Sequence, residues 1–155
     1  MTYDAQLMKK IGIDIFSGAG GLSLGGAIAG INVRYAIEVN PHAAKSFELN
    51  HKGAKVICGD IRDVKATDFL NKDEEVFIIM GGPPCQGFSM SNTMSRNMDN
   101  PNNLLFKEFV RLVSEIKPRW FVLENVWGMT KMNNGETIEM IKHCFEEIEP
   151  GYKVK

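Results

Sequence analysis

Apolar residues recur along this chain in two alternating rhythms. Ile11, Ile13 and Ile15 stand at period two ahead of a glycine-rich run, so residues 11–16 read as a strand that ends in a tight turn. A helix follows from about Gly21 to Ala29, and Gly30 takes the place of a C-terminal cap. Residues 32–39 (NVRYAIEV) read as a second strand. Asn40-Pro41 then supplies an N-cap with proline at the first helical position, predicting a helix to about Asn50. Lys55 to Cys58 makes a short third strand, and VFIIM at 76–80 is the unbroken apolar run of a strand covered on both faces. Leu105, Phe109, Leu112 and Ile116 repeat at helical spacing, with Phe106 and Val113 widening the stripe. Pro118 ends that helix, and Trp120 to Leu123 is a fifth strand. A last helix spans about Glu136 to Ile148, with Ile138, Ile141, Phe145 and Ile148 on one face.

This alternation predicts an α/β fold, a mostly parallel sheet with helices on both faces. No internal repeat or linker divides the chain. One long irregular stretch, residues 87–103 (GFSMSNTMSRNMDNPNN), directly follows the most distinctive motif and reads as functional.

Composition narrows the class. At 155 residues, 44% hydrophobic and 24% charged, the chain has the balance of one ordinary globular domain. A net charge of −1 argues against a general coat for polyanions. Cys58, Cys85 and Cys144 form no CxxC pair, which speaks against a disulfide scaffold or a metal module and for a reducing compartment. No apolar run approaches membrane-spanning length and the first residues lack the order of a signal peptide, so a cytoplasmic protein is expected, without membrane or metal.

The candidate chemistry lies at strand ends. The first strand runs into DIFSGAGG, residues 14–21, where Gly18, Gly20 and Gly21 permit positive φ and close approach of a ligand. Glu38 ends the second strand twenty residues beyond Gly18, the placement of a carboxylate that bonds ribose hydroxyls. Asp60 ends the third, able to accept from an adenine amino group, with Ile61 against the ring. Two adenosine cofactors compete for such a pocket. A dinucleotide wants a third glycine where Ser23 stands, and no Lys-Ser/Thr follows to make a P-loop. S-adenosylmethionine carries no phosphate and suits this turn.

The fourth strand runs into GGPPCQGFS, residues 81–89, where Pro83 and Pro84 stiffen the backbone before Cys85. The fifth ends in Leu123-Glu124-Asn125-Val126, a carboxylic acid at the next strand end. A thiol beside an acid suits methylation of cytosine at carbon 5. Thiolate addition at carbon 6 makes carbon 5 nucleophilic, and an acid at N3 assists that addition.

Taken together, these motifs resemble the cytosine-5 DNA methyltransferases over nearly the whole chain. DIFSGAGGLSLG is similar to the family's cofactor loop, Glu38 to its ribose acid, Gly59-Asp60-Ile61 to its adenine-binding turn, GGPPCQGFS to its cysteine motif and Glu124-Asn125-Val126 to its glutamate motif. The resemblance implies a Rossmann-like methyltransferase fold, S-adenosyl-L-methionine as cofactor, duplex DNA as partner with its target cytosine flipped out, and a restriction-modification setting. It implies Cys85 as nucleophile, Glu124 at N3, and Asn125 holding that acid or the backbone in position. Phe16, Ser17, Gly18, Gly20, Gly21, Leu22, Glu38, Val39, Asp60, Ile61, Pro83 and Leu104 would serve the cofactor. Pro84, Gln86, Ser89 and Val126 would serve the substrate, with residues 87–103 closing over the base.

The family continues with a Gln-x-Arg-x-Arg segment, a target-recognition domain and a final motif that this sequence does not contain. Residues 1–155 are therefore expected to be the N-terminal part of a catalytic domain, truncated before its last strands and needing a missing C-terminal segment or a second polypeptide, whether as a fragment, as one half of a split enzyme or as the product of a decayed gene. An apolar edge near residues 119–123, or on the last helix, is expected to stand exposed, making the chain prone to associate. A non-catalytic cofactor- or partner-binding remnant and an RNA cytosine-5 methyltransferase are the alternatives. Cys58 and Cys144 are expected in the core, Arg96 and Arg119 solvated or supporting a helix cap and not catalytic, the nine methionines mostly as filler, and the three histidines without a role.

Overall fold

The period-two isoleucines form β1 (Ile11–Ile15), which is buried along its whole length because it lies at the centre of the sheet. The computed structural model describes residues 10–84, 104–125, 136–149 and 151–155. In chain order β1 is followed by α1 (Gly21–Ile28), β2 (Asn32–Glu38), α2 (Pro41–Asn50), β3 (Lys55–Cys58), β4 (Val76–Gly81), α3 (Leu104–Ile116), β5 (Trp120–Leu123) and α4 (Glu136–Glu146). The five strands are all parallel in the order β3-β2-β1-β4-β5. Chain direction away from β1 reverses between β1 and β4, and a crevice opens at the carboxyl edge of a doubly wound sheet where that happens.

The sheet separates two layers. Ile11, Ile13 and Ile15 share one core with Phe106, Phe109, Leu112 and Val113 of α3 and with Ile141 and Phe145 of α4. On the other side α1 packs close because Gly26 has no side chain; a Cβ there would stand 3.1 Å from Met80 Cε. Local signals set the helix ends as expected. The Asn40 side chain caps α2 by accepting from the His42 and Ala43 amides at 2.9 and 3.2 Å. Gly30, at φ 78°, follows α1 while the Ile31 amide reaches back to Gly26 O. The last helix stops at Glu146, short of the expected Ile148, although Ile148 is still buried beyond it.

Two core expectations need adjusting. Cys58 is exposed, not buried, because β3 is an edge strand and Cys58 is its last residue. Cys144 packs against the core only partly, and burial raises its thiol pKa. The expected exposed edge is present on β5, where Trp120 is 57% and Val122 42% exposed, while α4 buries its apolar face. Phe121 and Leu123, pointing the other way, pack on the core, and Tyr152 holds the end of the chain there by donating to Pro118 O at 2.6 Å. Arg119 is exposed as expected. Among the described residues no helix is long and apolar enough to cross a membrane, and no three His, Cys, Asp or Glu side chains group to hold a metal.

Candidate cofactor pocket and active-site edge

Register brings the strand ends into line. Ile15 pairs with Ile37 and Gly81, Glu38 with Cys58, and Gly81 with Leu123, so the segments after all five strands share one edge. The chain leaves β1 through Phe16 at φ 59°, a left-handed conformation that a phenylalanine rarely adopts. The Ser17 amide donates to Ile37 O at 3.2 Å and the Gly18 amide to Glu38 Oε2 at 2.8 Å. Glu38 Oε1 accepts from the Asn40 amide, also at 2.8 Å. The carboxylate is thus held by one amide on each oxygen, leaving a further lone pair on each for a ligand. Gly18 and Gly20 take the expected positive φ, at 54° and 97°; Gly21 does not, because it is already the first residue of α1.

Gly20 is the N-cap of α1 and has no side chain to serve the helix amides. Asp14 serves instead, reaching across from β1. Its Oδ2 accepts from the Ser23 amide at 3.1 Å and the Ser23 hydroxyl at 2.6 Å, in full burial. Among the described residues its Oδ1 has no partner, and neither does the buried hydroxyl of Ser17. Burial pushes the Asp14 carboxyl up to about 6, against the pull of the two Ser23 hydrogen bonds and with a smaller push from Glu38.

A cavity of about 350 Å³ opens along this edge. Its walls are Phe16, Ile37, Glu38, Val39, Gly59, Asp60, Ile61, Arg62, Gly82, Pro84 and Leu105. Five residues expected at the cofactor are therefore gathered around one space: Phe16, Glu38, Val39, Asp60 and Ile61. Ser17, Gly18 and Gly20 of the turn, Gly21 and Leu22 at the start of α1, and the buried Pro83 do not line it. Leu105 lines the cavity; the side chain of Leu104 lies outside the described residues.

Asp60 stands at the cavity but with its carboxylate engaged. It accepts from the Arg62 amide at 3.0 Å and Nε at 2.9 Å, and its other oxygen pairs with Arg62 NH2. Those hydrogen bonds hold its carboxyl down to about 2. Arg62 was not foreseen in the cavity wall. The turn carrying both residues is braced from α3, where Arg111 donates to Ile61 O at 3.0 Å and Val64 O at 2.9 Å.

The second half of the edge follows β4 and β5. A Cβ on Gly81 would lie 2.2 Å from Ile15 O, so only glycine lets β4 run this close to β1 there. A Cβ on Gly82 would meet Glu124 Oε2 at 2.6 Å: the carboxylate lies directly over the Gly82 backbone. Asn125 Nδ2 donates to Pro83 O at 3.4 Å, tying the end of β5 to the Pro-Pro segment. Cys85, Gln86, Ser89, Val126 and the 87–103 loop, Arg96 included, lie outside the described residues. Pro84, immediately before Cys85, is in the cavity wall.

The profile of the C-5 cytosine-specific DNA methylases matches residues 11–155. This chain belongs to that family. Among curated relatives of this chain, the type II methyltransferase M1.HphI of Haemophilus parahaemolyticus is 41% identical over 156 residues, covering 99% of this chain and 41% of the relative. M.AquIA of Picosynechococcus is 38% identical over 138 residues, covering 86% of this chain and 55% of its own length. The chain thus spans about half or less of the curated relatives it matches. A solved structure from an Escherichia coli prophage, described as a DNA modification methyltransferase, superposes with a TM-score of 0.72 at 36% identity, covering 87% of this chain and 37% of that one. The Dnmt2 methyltransferase of S. pombe, at 22% identity and TM-score 0.63, shares the fold. The five-stranded sheet of this chain is accordingly the Rossmann-like sheet of the methyltransferase fold.

Sequence reading missed Asp14 and Ser23 beneath the glycine turn and Arg62 on the Asp60 turn. None sits at a ligand-like spacing: Asp14 and Ser23 meet through the packing of α1 on β1, and Arg62 bonds Asp60 two residues away.

Proposed function

We propose that residues 1–155 are the N-terminal, cofactor-binding and catalytic part of an enzyme that methylates carbon 5 of cytosine in DNA, using S-adenosyl-L-methionine. The observation that carries this reading is the shared cavity. Phe16, Glu38 and Ile61 on one side meet Gly82 and Pro84 on the other, one residue before Cys85 and under Glu124.

The residues fit an adenosine cofactor without phosphates. Glu38 keeps acceptor capacity for two hydroxyls, and Phe16 and Ile61 offer apolar faces to a purine. Val39, 65% exposed at the cavity, gives further apolar surface for a ligand to cover. With Asp60 already paired to Arg62, the adenine amino group would share its carboxylate or displace the guanidinium. S-adenosylmethionine supplies the methyl group when bound. On the protein side, Cys85 as thiolate adds to carbon 6 of the flipped cytosine. Glu124, held over Gly82, donates to N3 as that bond forms. Carbon 5, made nucleophilic, takes the methyl group and then loses its proton to a base; the carbon–sulfur bond breaks to restore the thiolate, and N3 returns its proton to Glu124. Asn125 keeps Glu124 in place through Pro83.

Base extrusion costs a few kcal/mol and sequence choice needs base-edge contacts. We assign both to the remaining length of such enzymes, whether on the same chain or on a second polypeptide. That part would cover the exposed β5 edge.

The test is covalent trapping on duplex DNA containing 5-fluorocytosine, with the chain alone and with the polypeptide that completes the sheet. A gel-stable adduct that needs S-adenosylmethionine and disappears in Cys85→Ser is expected. An adduct that survives this substitution would refute the nucleophile. Binding of the cofactor with no adduct under either condition would favour the non-catalytic remnant, and methylation of transfer RNA over duplex DNA would favour the RNA reading.

A further inference from the structure

The C-terminal end of α2 grips the glycine turn from behind. Asn50 Nδ2 donates to Ala19 O at 3.2 Å, and His51 Nε2 lies 3.0 Å from Gly20 O. A carbonyl only accepts, so His51 carries its proton on Nε2 in this contact. The same Gly20 O accepts from the Leu24 amide at 2.9 Å, the first hydrogen bond of α1. The imidazole is itself packed against buried Phe47, ring centres 4.5 Å apart and the planes tilted by 37°. It also fills the space where a Gly20 side chain would be: a Cβ would lie 2.2 Å from Nε2.

From this we infer that Asn50 and His51 are positioning residues, a latch that sets the orientation of the cofactor turn and thereby the affinity for S-adenosylmethionine. The inference rests on the cofactor reading above. Carbonyl and amide point in opposite directions across a trans peptide. Anchoring Gly20 O on α2 therefore turns the Gly21 amide away from α2, and Gly21 has open space beside it. Among the described residues the amides of Gly21 and Leu22 find no protein acceptor. Without the latch the turn would keep its hydrogen bond to Glu38 but lose the restraint on its far side. Binding would then have to order it.

Three His51 variants separate the hydrogen bond from packing. His51→Gln keeps a donor near the Nε2 position, His51→Leu keeps bulk without a donor, and His51→Ala removes both. Two readouts are taken on the full chain: S-adenosylmethionine affinity by calorimetry, and amide exchange of Gly20 and Leu24 without ligand. One neutral hydrogen bond corresponds to a roughly fivefold change in affinity. The Leu variant should weaken binding by about that factor and speed exchange at Gly20 and Leu24, the Gln variant should restore both, and thermal stability should move little between the two. Leu and Gln variants that bind and exchange alike would overturn the latch. A wild-type chain that does not bind the cofactor would overturn the cofactor reading instead, and the exchange data would still decide whether the latch exists.

Discussion

Replacing Asp14 with asparagine makes the most direct test of how this site is built. Asp14 is fully buried beneath the N-terminus of α1, with Ser23 on one carboxylate oxygen and, among the described residues, nothing on the other. Burial disfavours its charged form, so the folded protein holds its proton more tightly than the unfolded chain does. Between an ordinary 3.8 and about 6, the native state binds more protons than the unfolded state. Stability from this group is therefore present at low pH and is lost as pH rises through the folded value. The rise corresponds to roughly 3 kcal/mol in total, of which about 2 kcal/mol falls between about pH 4.5 and about pH 7.5. Asparagine keeps the shape and the acceptor for Ser23 but does not titrate in this range. Urea unfolding of both proteins at several pH values isolates the effect, because other titrating groups cancel in the difference. The wild-type advantage over Asp14→Asn should shrink by about 2 kcal/mol across that window. A difference that stays flat with pH would refute the account of Asp14 as a buried, burial-shifted cap.

Two further outcomes follow from the packing. Phe145 is wholly buried, stacked on Phe121 at 4.1 Å and edge-on to Phe106 and Phe109 at 6.0 Å each. Phe145→Ala should cost about 3–5 kcal/mol in urea melts, and a loss under about 1 kcal/mol would mean that α4 is not docked as described. The uncovered β5 edge should make the chain associate in sedimentation experiments, and Val122→Lys should shift it toward monomer. A wild-type chain that stays monomeric and unfolds cooperatively would contradict this.

The elements themselves were legible in the residue pattern because their causes are local. Isoleucines at period two, an Asn-Pro cap, a glycine after α1 and a proline after α3 act within a few positions of themselves. The same holds for the order of chemical groups along the edge: in a parallel sheet every strand delivers its last residue to the same side. Glu38, Asp60, Pro84 and Glu124 could be placed by counting strand ends. Cys58 was misjudged because sequence alone does not reveal that β3 lies outermost, and only sheet order decides whether a strand's apolar residues are covered.

What tertiary structure alone decided are the partners. Asp14 caps a helix that starts beyond the next turn, His51 fills the space of a missing Gly20 side chain from 31 residues away, and Arg111 braces Ile61 across 50. None of these pairs has a spacing rule, since the distance between them in space depends on how α1, α2 and α3 lie on the sheet. Arg62 belongs here for a different reason. It is close to Asp60 in sequence, yet whether it turns to solvent or lies along the cavity wall is set by the space between the strand ends. The sequence therefore determined which chemistry reaches the edge, through local periodicity and parallel strand direction. Long-range packing decided how rigidly that chemistry is held.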